Sequence, residues 1–309
     1  MNTAGVTYPT SSPAELLRRV QLVELRARRL VVDLLAGPYR SVFRGRGLEF
    51  DDIREYQPGD DVRAIDWHAT ARSGTVQIKQ NIEERCLTVM LAVDLSASAD
   101  FGSGPQSKRE LAAELAAVFA LSAVSNNDRV GLAIFTENVE YYLPPRTGRR
   151  QALAIVAAIL SHQPRSPRTS MDKALRTLGS LLRRRATLFL ISDFLDSGFA
   201  RSLRLASLRH DTVAVSIRDP VEAGLPGLGW LVCEDAETGE LLEFDTSDPR
   251  FRHAFEVDRL ARITSLQETF RRAGVDAVSC ETGKPYQRAL LQFFDRRQQR
   301  LGLGKGAPG

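Results

Sequence analysis

Five residues of this chain have the type and placement to hold a metal ion. Val93-Asp94-Leu95-Ser96-Ala97-Ser98 sets a carboxylate and two hydroxyls at alternate positions just past an apolar run of strand length. Thr169 stands before a helical stretch, and Asp193 follows a second apolar run in Ile191-Ser192-Asp193. All five side chains offer hard oxygen donors. Such donors suit Mg²⁺, which keeps several waters and uses only one or two carboxylates; Mn²⁺ accepts the same oxygens. Each residue taken alone has a plainer explanation. Asp-x-Ser-x-Ser is common turn chemistry, Thr169 could be a helix N-cap, and Asp193 could cap the next helix. Their joint placement on three loops of one sheet edge favours the metal.

That placement depends on the elements. Leu87 to Val93, Val130 to Phe135, Thr187 to Ile191, Thr212 to Ile217 and Val275 to Cys280 read as strands. Ser107 to Val124, Arg149 to Leu160, Ser170 to Arg184, Phe199 to Leu208, Arg250 to Arg272 and Tyr286 to Arg300 read as helices. The first of these helices opens on a capping box, Ser107-Lys108-Arg109-Glu110. Apolar strands alternating with helices imply a parallel sheet covered on both faces. Val139 to Leu143 follows its predecessor after a tight turn, so that pair must be antiparallel. Ligands of such sheets bind beyond the carboxyl ends of the strands, where Asp94 and Asp193 fall.

Before the sheet, Ser12-Pro13-Ala14-Glu15 opens a helix that sets Leu16, Val20, Val23, Leu30 and Leu34 at helical spacing, ending before Gly37-Pro38. Its other face is rich in arginine, as in a solvated helix. The expected organisation is a flexible leader at 1–12, a helix and small β-rich module at 13–85, the α/β domain at 86–301 with a hairpin inserted near 219–249, and a disordered tail at 302–309.

In order and placement, Asp94, Ser96, Ser98, Thr169 and Asp193 resemble the metal-ion-dependent adhesion site of von Willebrand A domains. The resemblance implies a doubly wound, mostly parallel sheet with one antiparallel edge strand. It implies that Ser96, Ser98 and Thr169 approach the metal and that Asp94 and Asp193 bind it directly or through water. It also implies a sixth position left for an acidic side chain of a protein partner.

A second pattern lies upstream: Gly-Arg-Gly-Leu-Glu-Phe from Gly45, then Arg54-Glu55-Tyr56-Gln57-Pro58-Gly59-Asp60-Asp61-Val62-Arg63-Ala64-Ile65-Asp66-Trp67, then Ala71-Arg72. It resembles the domain-of-unknown-function 58 family, where such a segment precedes a von Willebrand A-like domain, and the resemblance spans roughly residues 15–300. Many members carry transmembrane helices; this chain resembles the short cytoplasmic form. The family resemblance implies a MoxR-type AAA+ ATPase as partner. Read by residue chemistry, Pro58-Gly59-Asp60-Asp61 is a turn. Arg63 and Arg72 are expected to pair with Asp66 or Glu49, and Trp67 to be the module's apolar anchor. A catalytic grouping of its charged residues is the less economical reading.

Other functions find little support. A haloacid-dehalogenase-type phosphatase needs a carboxylate two residues after its first aspartate, and Ser96 stands there. Neither serine has the surroundings of a hydrolase nucleophile. Ser170-x-x-Lys173 is isolated, and no phosphate-binding loop is present. The net charge of +4 comes without a nucleic-acid-binding motif or aromatic platforms. No apolar stretch is long enough to span a bilayer, and the first residues lack signal-peptide character. Cys86, Cys233 and Cys280 are three and far apart, which argues against disulfides and zinc. The expectation is a cytoplasmic, non-enzymatic, metal-dependent protein-binding adaptor. The alternatives are a metal-assisted phosphoester hydrolase and a scaffold with a vestigial metal site.

Overall fold

The computed structural model describes residues 12–31, 52–80, 86–224, 227–234 and 239–300. The expected leader, the helix end near Gly37, the Gly45–Gly47 turn, Glu49 and the C-terminal tail fall outside the described residues.

Six strands form the central sheet: β3 (Thr88–Asp94), β4 (Arg129–Phe135), β5 (Val139–Arg146), β6 (Thr187–Ser192), β7 (Asp211–Arg218) and β10 (Asp276–Glu281). Their order is β10-β7-β6-β3-β4-β5. All neighbours are parallel except β4 and β5. The antiparallel pair carries a register shift between Val130 and Leu132. Gly131 sits there, and a Cβ on it would lie 2.8 Å from the Leu143 carbonyl oxygen. Pro144 and Pro145 are tolerated in β5 because it is an edge strand.

The continuous apolar character of β3 follows from burial on both sides. Val89, Leu91 and Val93 face one core, and Met90 and Ala92 face the other. The first core is closed by α3 (Lys108–Ser125), α4 (Arg149–Ser161) and α8 (Gln287–Arg300). The second is closed by α5 (Met171–Leu181), α6 (Ala200–Arg209) and α7 (Pro249–Ala273). The strand order reverses at β3, which has β4 on one side and β6 on the other. Such a switch point opens a crevice at the carboxyl ends of the strands, and Asp94 is the last residue of β3.

Helix α1 (Pro13–Leu30) lies over the first helical layer, with Ser12 accepting from the Glu15 N–H at its start. Val20, Val23, Ala27 and Leu30 join the first core. Its arginines do more than meet solvent: Arg19 donates to Glu110 at 3.0 Å and Arg26 to Glu114 at 2.5 Å, both on α3.

The upstream segment forms β1 (Asp52–Glu55) and β2 (Gln77–Gln80), paired antiparallel, with α2 (Trp67–Ser73) between them. This seven-residue helix was not foreseen within the small β-rich module. Its signals were local: Asp66 accepts from the N–H groups of His68 and Ala69, and Gly74 closes the helix at φ +75°. Trp67 is not an apolar anchor. It is 69 % exposed at the first position of α2. The ion pair of this segment is a two-bond fork from Arg54 to Asp60, at 2.8 and 2.7 Å. Asp61 accepts from the Arg63 N–H, and Arg72 donates to the His68 carbonyl. The hairpin near 219–249 is present as β8 (Trp230–Glu234) and β9 (Leu241–Asp245).

Candidate metal centre

Asp94 ends β3 with its side chain turned inward, 6 % exposed. Its Oδ1 accepts from the Ser96 N–H at 3.0 Å, and its Oδ2 accepts from the Ser192 hydroxyl at 2.7 Å. The first bond closes the turn after the strand. The second ties it to β6, across 98 residues of sequence. Ser96 is fully buried, and its Oγ lies 3.2 Å from the Ser98 Oγ. The two hydroxyls of the motif therefore converge, as alternate positions on one loop allow.

Asp193 follows β6. The Ser192 hydroxyl also accepts from the Phe194 N–H at 3.0 Å. Phe194 has a left-handed backbone, φ +56°, costly for a bulky residue. It is buried against Phe199 and Phe270, and that packing offsets the strain. The reversal leaves the Asp193 carboxylate facing Lys108, whose Nζ donates to Oδ2 at 2.9 Å. Asp193 caps no helix; α6 begins at Ala200.

Thr169 is half-buried in the loop between α4 and α5. It is not the N-cap of α5, a role taken by Ser170, which accepts from the Lys173 N–H. Two backbone contacts and one to a side chain hold this loop beside the other two. The Ala97 N–H donates to the Pro167 carbonyl at 3.1 Å, the Ser170 N–H to the Thr136 carbonyl at 3.0 Å, and the Met171 N–H to Asp196 at 2.8 Å. The three loops thus meet at one sheet edge. A cavity of about 10 Å³, enough for one water-sized body, is lined there by Asp94, Ser98, Lys108, Ser192 and Asp193 among others. Among the described residues no group of three or more His, Cys, Asp or Glu side chains could cage a metal. An ion here must rely on two carboxylates, hydroxyls and water, a hard-oxygen set of the Mg²⁺ kind.

The electrostatics point both ways. Burial, reinforced by the nearby Asp193 carboxylate, pushes the Asp94 carboxyl up to about 7, against hydrogen bonds from Ser96 and Ser192. Two carboxylates in a dry recess call for a cation. Lys108 supplies one. Burial alone would pull the Lys108 ammonium down, but Asp193 and Glu222 more than offset this and raise it. The residues fit a divalent ion in type; Asp94, Ser98 and Asp193 line the recess, Ser96 lies against Ser98, Thr169 is not part of the lining, and Lys108 already claims one of the carboxylates.

Lys108 and Ser192 escape a motif reading because neither belongs to the pattern. Lys108 looked like an ordinary position inside a capping box. The available signal was its place on a helix apolar almost all round, where a charge must find a partner. Glu140 is a further unforeseen tie. It accepts from the Thr136 hydroxyl and the Arg165 N–H, and its Oε2 lies 2.8 Å from His162 Nε2. This gives His162 a partner that sequence did not suggest. Lys173 pairs with Glu137 at 2.6 Å on the surface. The signature residues Arg54, Tyr56, Pro58, Gly59, Asp60, Asp61, Arg63, Asp66, Trp67 and Arg72 are not gathered at this edge; their described side-chain hydrogen bonds stay within residues 54–77.

Beside Asp193 a groove of about 570 Å³ runs between the 193–200 loop and α7, lined by Leu195, Phe199, Arg218, Arg259 and Leu266 among others. Among the described residues no helix is long and apolar enough to cross a membrane.

The chain is 32% identical over 288 residues to "Uncharacterized protein Rv1480" of Mycobacterium tuberculosis, covering 92% of this chain and 90% of that one. It is 30% identical over 167 residues to "Uncharacterized protein MAV169" of Mycobacterium avium, covering 53% of this chain and 98% of that one. Among solved structures it is similar to the conserved hypothetical protein BatB from Bacteroides thetaiotaomicron, with 17% identity, a TM-score of 0.44, and 69% and 99% of the two chains covered. The SpRpn10 VWA domain gives 13% identity, a TM-score of 0.39, and coverage of 72% and 100%. The family model described as "Protein of unknown function DUF58" matches residues 52–264, more than half of the sequence, and the chain belongs to that family.

Proposed function

We propose that this protein is a divalent-metal-dependent, protein-binding adaptor rather than an enzyme. Mg²⁺, with Mn²⁺ as an acceptable substitute, is held by Asp94, Ser96, Ser98, Thr169 and Asp193. The observation that carries the reading is the meeting of three loops at the switch point of the sheet. There, two buried carboxylates and the Ser98 hydroxyl face one recess, and the Ser96 hydroxyl lies against that of Ser98. The ion supplies a Lewis-acidic position for an acidic side chain of a partner. Asp94 organises the loop through Ser96 and Ser192, and the groove past Asp193 seats the partner's neighbouring residues. By family resemblance, the partner is a MoxR-type AAA+ ATPase or its client, in assembly or activation of that client.

The test is capture of such an ATPase by the immobilised chain in Mg²⁺ and in chelator, with Asp94→Ala alongside. Capture that needs Mg²⁺ and is lost in the variant supports the adaptor; equal capture in all arms overturns it. Lys108 on Asp193 favours a second reading, a scaffold whose metal site is vestigial. That reading expects association that ignores Mg²⁺ and weakens with salt.

A further inference from the structure

Lys108 is the first residue of α3 and is 4 % exposed. Its ammonium is shared between two carboxylates from different elements. One is Asp193 after β6, at 2.9 Å. The other is Glu222, on the short turn Pro220–Ala223 after β7. The ring of Phe101 lies beneath it, with its centroid 5.9 Å away. A lysine so deeply buried persists only when paired.

The Glu222 turn is itself fastened to the sheet edge. Asp219 accepts from the Ser103 N–H at 2.9 Å, the Val221 N–H at 3.0 Å and the Thr282 hydroxyl at 2.6 Å. The Asp219 N–H donates back to Glu222 at 3.4 Å. Glu222 is 32 % exposed in its side chain, whereas Asp193 is 6 % exposed. One buried cation therefore bridges a deep carboxylate and a shallower one. A divalent ion that draws on Asp193 must compete with this ammonium, and Glu222 is the carboxylate that can keep it.

We propose that Lys108 is a tethered competitor of the divalent ion: it neutralises Asp193 until an ion enters and then rests on Glu222 alone. This deepens the metal-dependent reading above and rests on it. The competition keeps the ion's affinity low in the isolated protein. A partner carboxylate, which brings negative charge to the ion, then tips the balance. Ion uptake and partner capture become coupled through a single side chain, with the Glu222 turn as the alternative resting place.

The test is calorimetric titration of the full chain with Mg²⁺, comparing wild type, Lys108→Met and Glu222→Gln. Removing a unit charge beside the site should tighten Mg²⁺ binding by roughly tenfold or more. Glu222→Gln should act in the opposite direction and weaken binding several-fold, because the ammonium then has only Asp193. Mg²⁺ should also raise the melting temperature of Lys108→Met by more than it raises that of wild type. Equal or weaker binding by a folded Lys108→Met overturns the proposal. Should that variant fail to fold, Glu222→Gln decides: weaker binding supports the competition and unchanged binding overturns it. Uptake by Lys108→Met alone, with none by wild type, also supports it. No uptake by either removes the metal-binding reading itself, and the proposal with it.

Discussion

The edge of the central sheet and the upstream segment are both rich in charge, yet they are wired differently. At the sheet edge the polar bonds join distant parts of the sequence: Ser192 to Asp94 across 98 residues, and Lys108 to Asp193 across 85. In the upstream segment they are local: Arg54 to Asp60 across six residues, and Gln77 to Thr70 across seven. The first set exists only when the whole sheet is formed. The second specifies turns and a short helix whatever the rest of the chain does. Charged residues of similar appearance thus hold the fold together in one region and shape a surface in the other.

That contrast can be broken by substitution. The largest effect is expected at Arg109, 7 % exposed, which forks onto Asp100 and donates to the carbonyls of Ile159 and His162. Arg109→Met leaves two carbonyls without their donor and frees the Asp100 carboxylate, which is 34 % exposed, and should cost about 3 kcal/mol in denaturant unfolding. A loss below 1 kcal/mol in that experiment, of the order of an exposed pair, would erase the distinction between the regions.

The next effect depends on pH. Hydrogen bonds from Ser103, Thr282 and Val221 outweigh burial and hold Asp219 down at about 2. Because the folded value lies below the ordinary 3.8, its contribution is fully present above about pH 4 and is lost as pH falls through 2, a span of about 2 kcal/mol. Asp219→Asn should flatten the acid limb of the stability curve. A limb of unchanged slope would show that the clamp does not form in solution.

The smallest effect is expected at Trp67, 69 % exposed. Trp67→Ala should leave unfolding free energy within about 0.5 kcal/mol of wild type. A clear loss of stability would show that this ring is part of the folded core after all. Loss of partner capture at unchanged stability would place it in an interface and sharpen the view of the segment as a surface device.

The sheet was legible because most of its strands are continuous apolar runs, and burial of both faces of β3, β4, β6 and β7 requires that pattern. Asp94, Ser96, Ser98 and Asp193 were legible because position at a strand end is readable once the strands are. The plainer reading of Thr169, a helix cap, belongs instead to its neighbour Ser170, since adjacent hydroxyl residues offer the same signal. Helix α2 was missed although Asp66 and Gly74 mark its ends; seven residues between turn signals leave little periodicity to read. Trp67 was misjudged because residue type alone favoured burial. Lys108 was beyond reach of spacing altogether, since its two partners lie 85 and 114 residues away and only the folded sheet edge brings them together.

The most direct test of the metal-dependent reading is titration of the full chain with Mg²⁺ and Mn²⁺ against the Asp94→Ala variant. The expected result is uptake of about one ion per chain, set by the small recess lined by Asp94, Ser98 and Asp193, and loss of that uptake in the variant. Uptake that persists unchanged in Asp94→Ala would contradict the account and move the ion away from the end of β3.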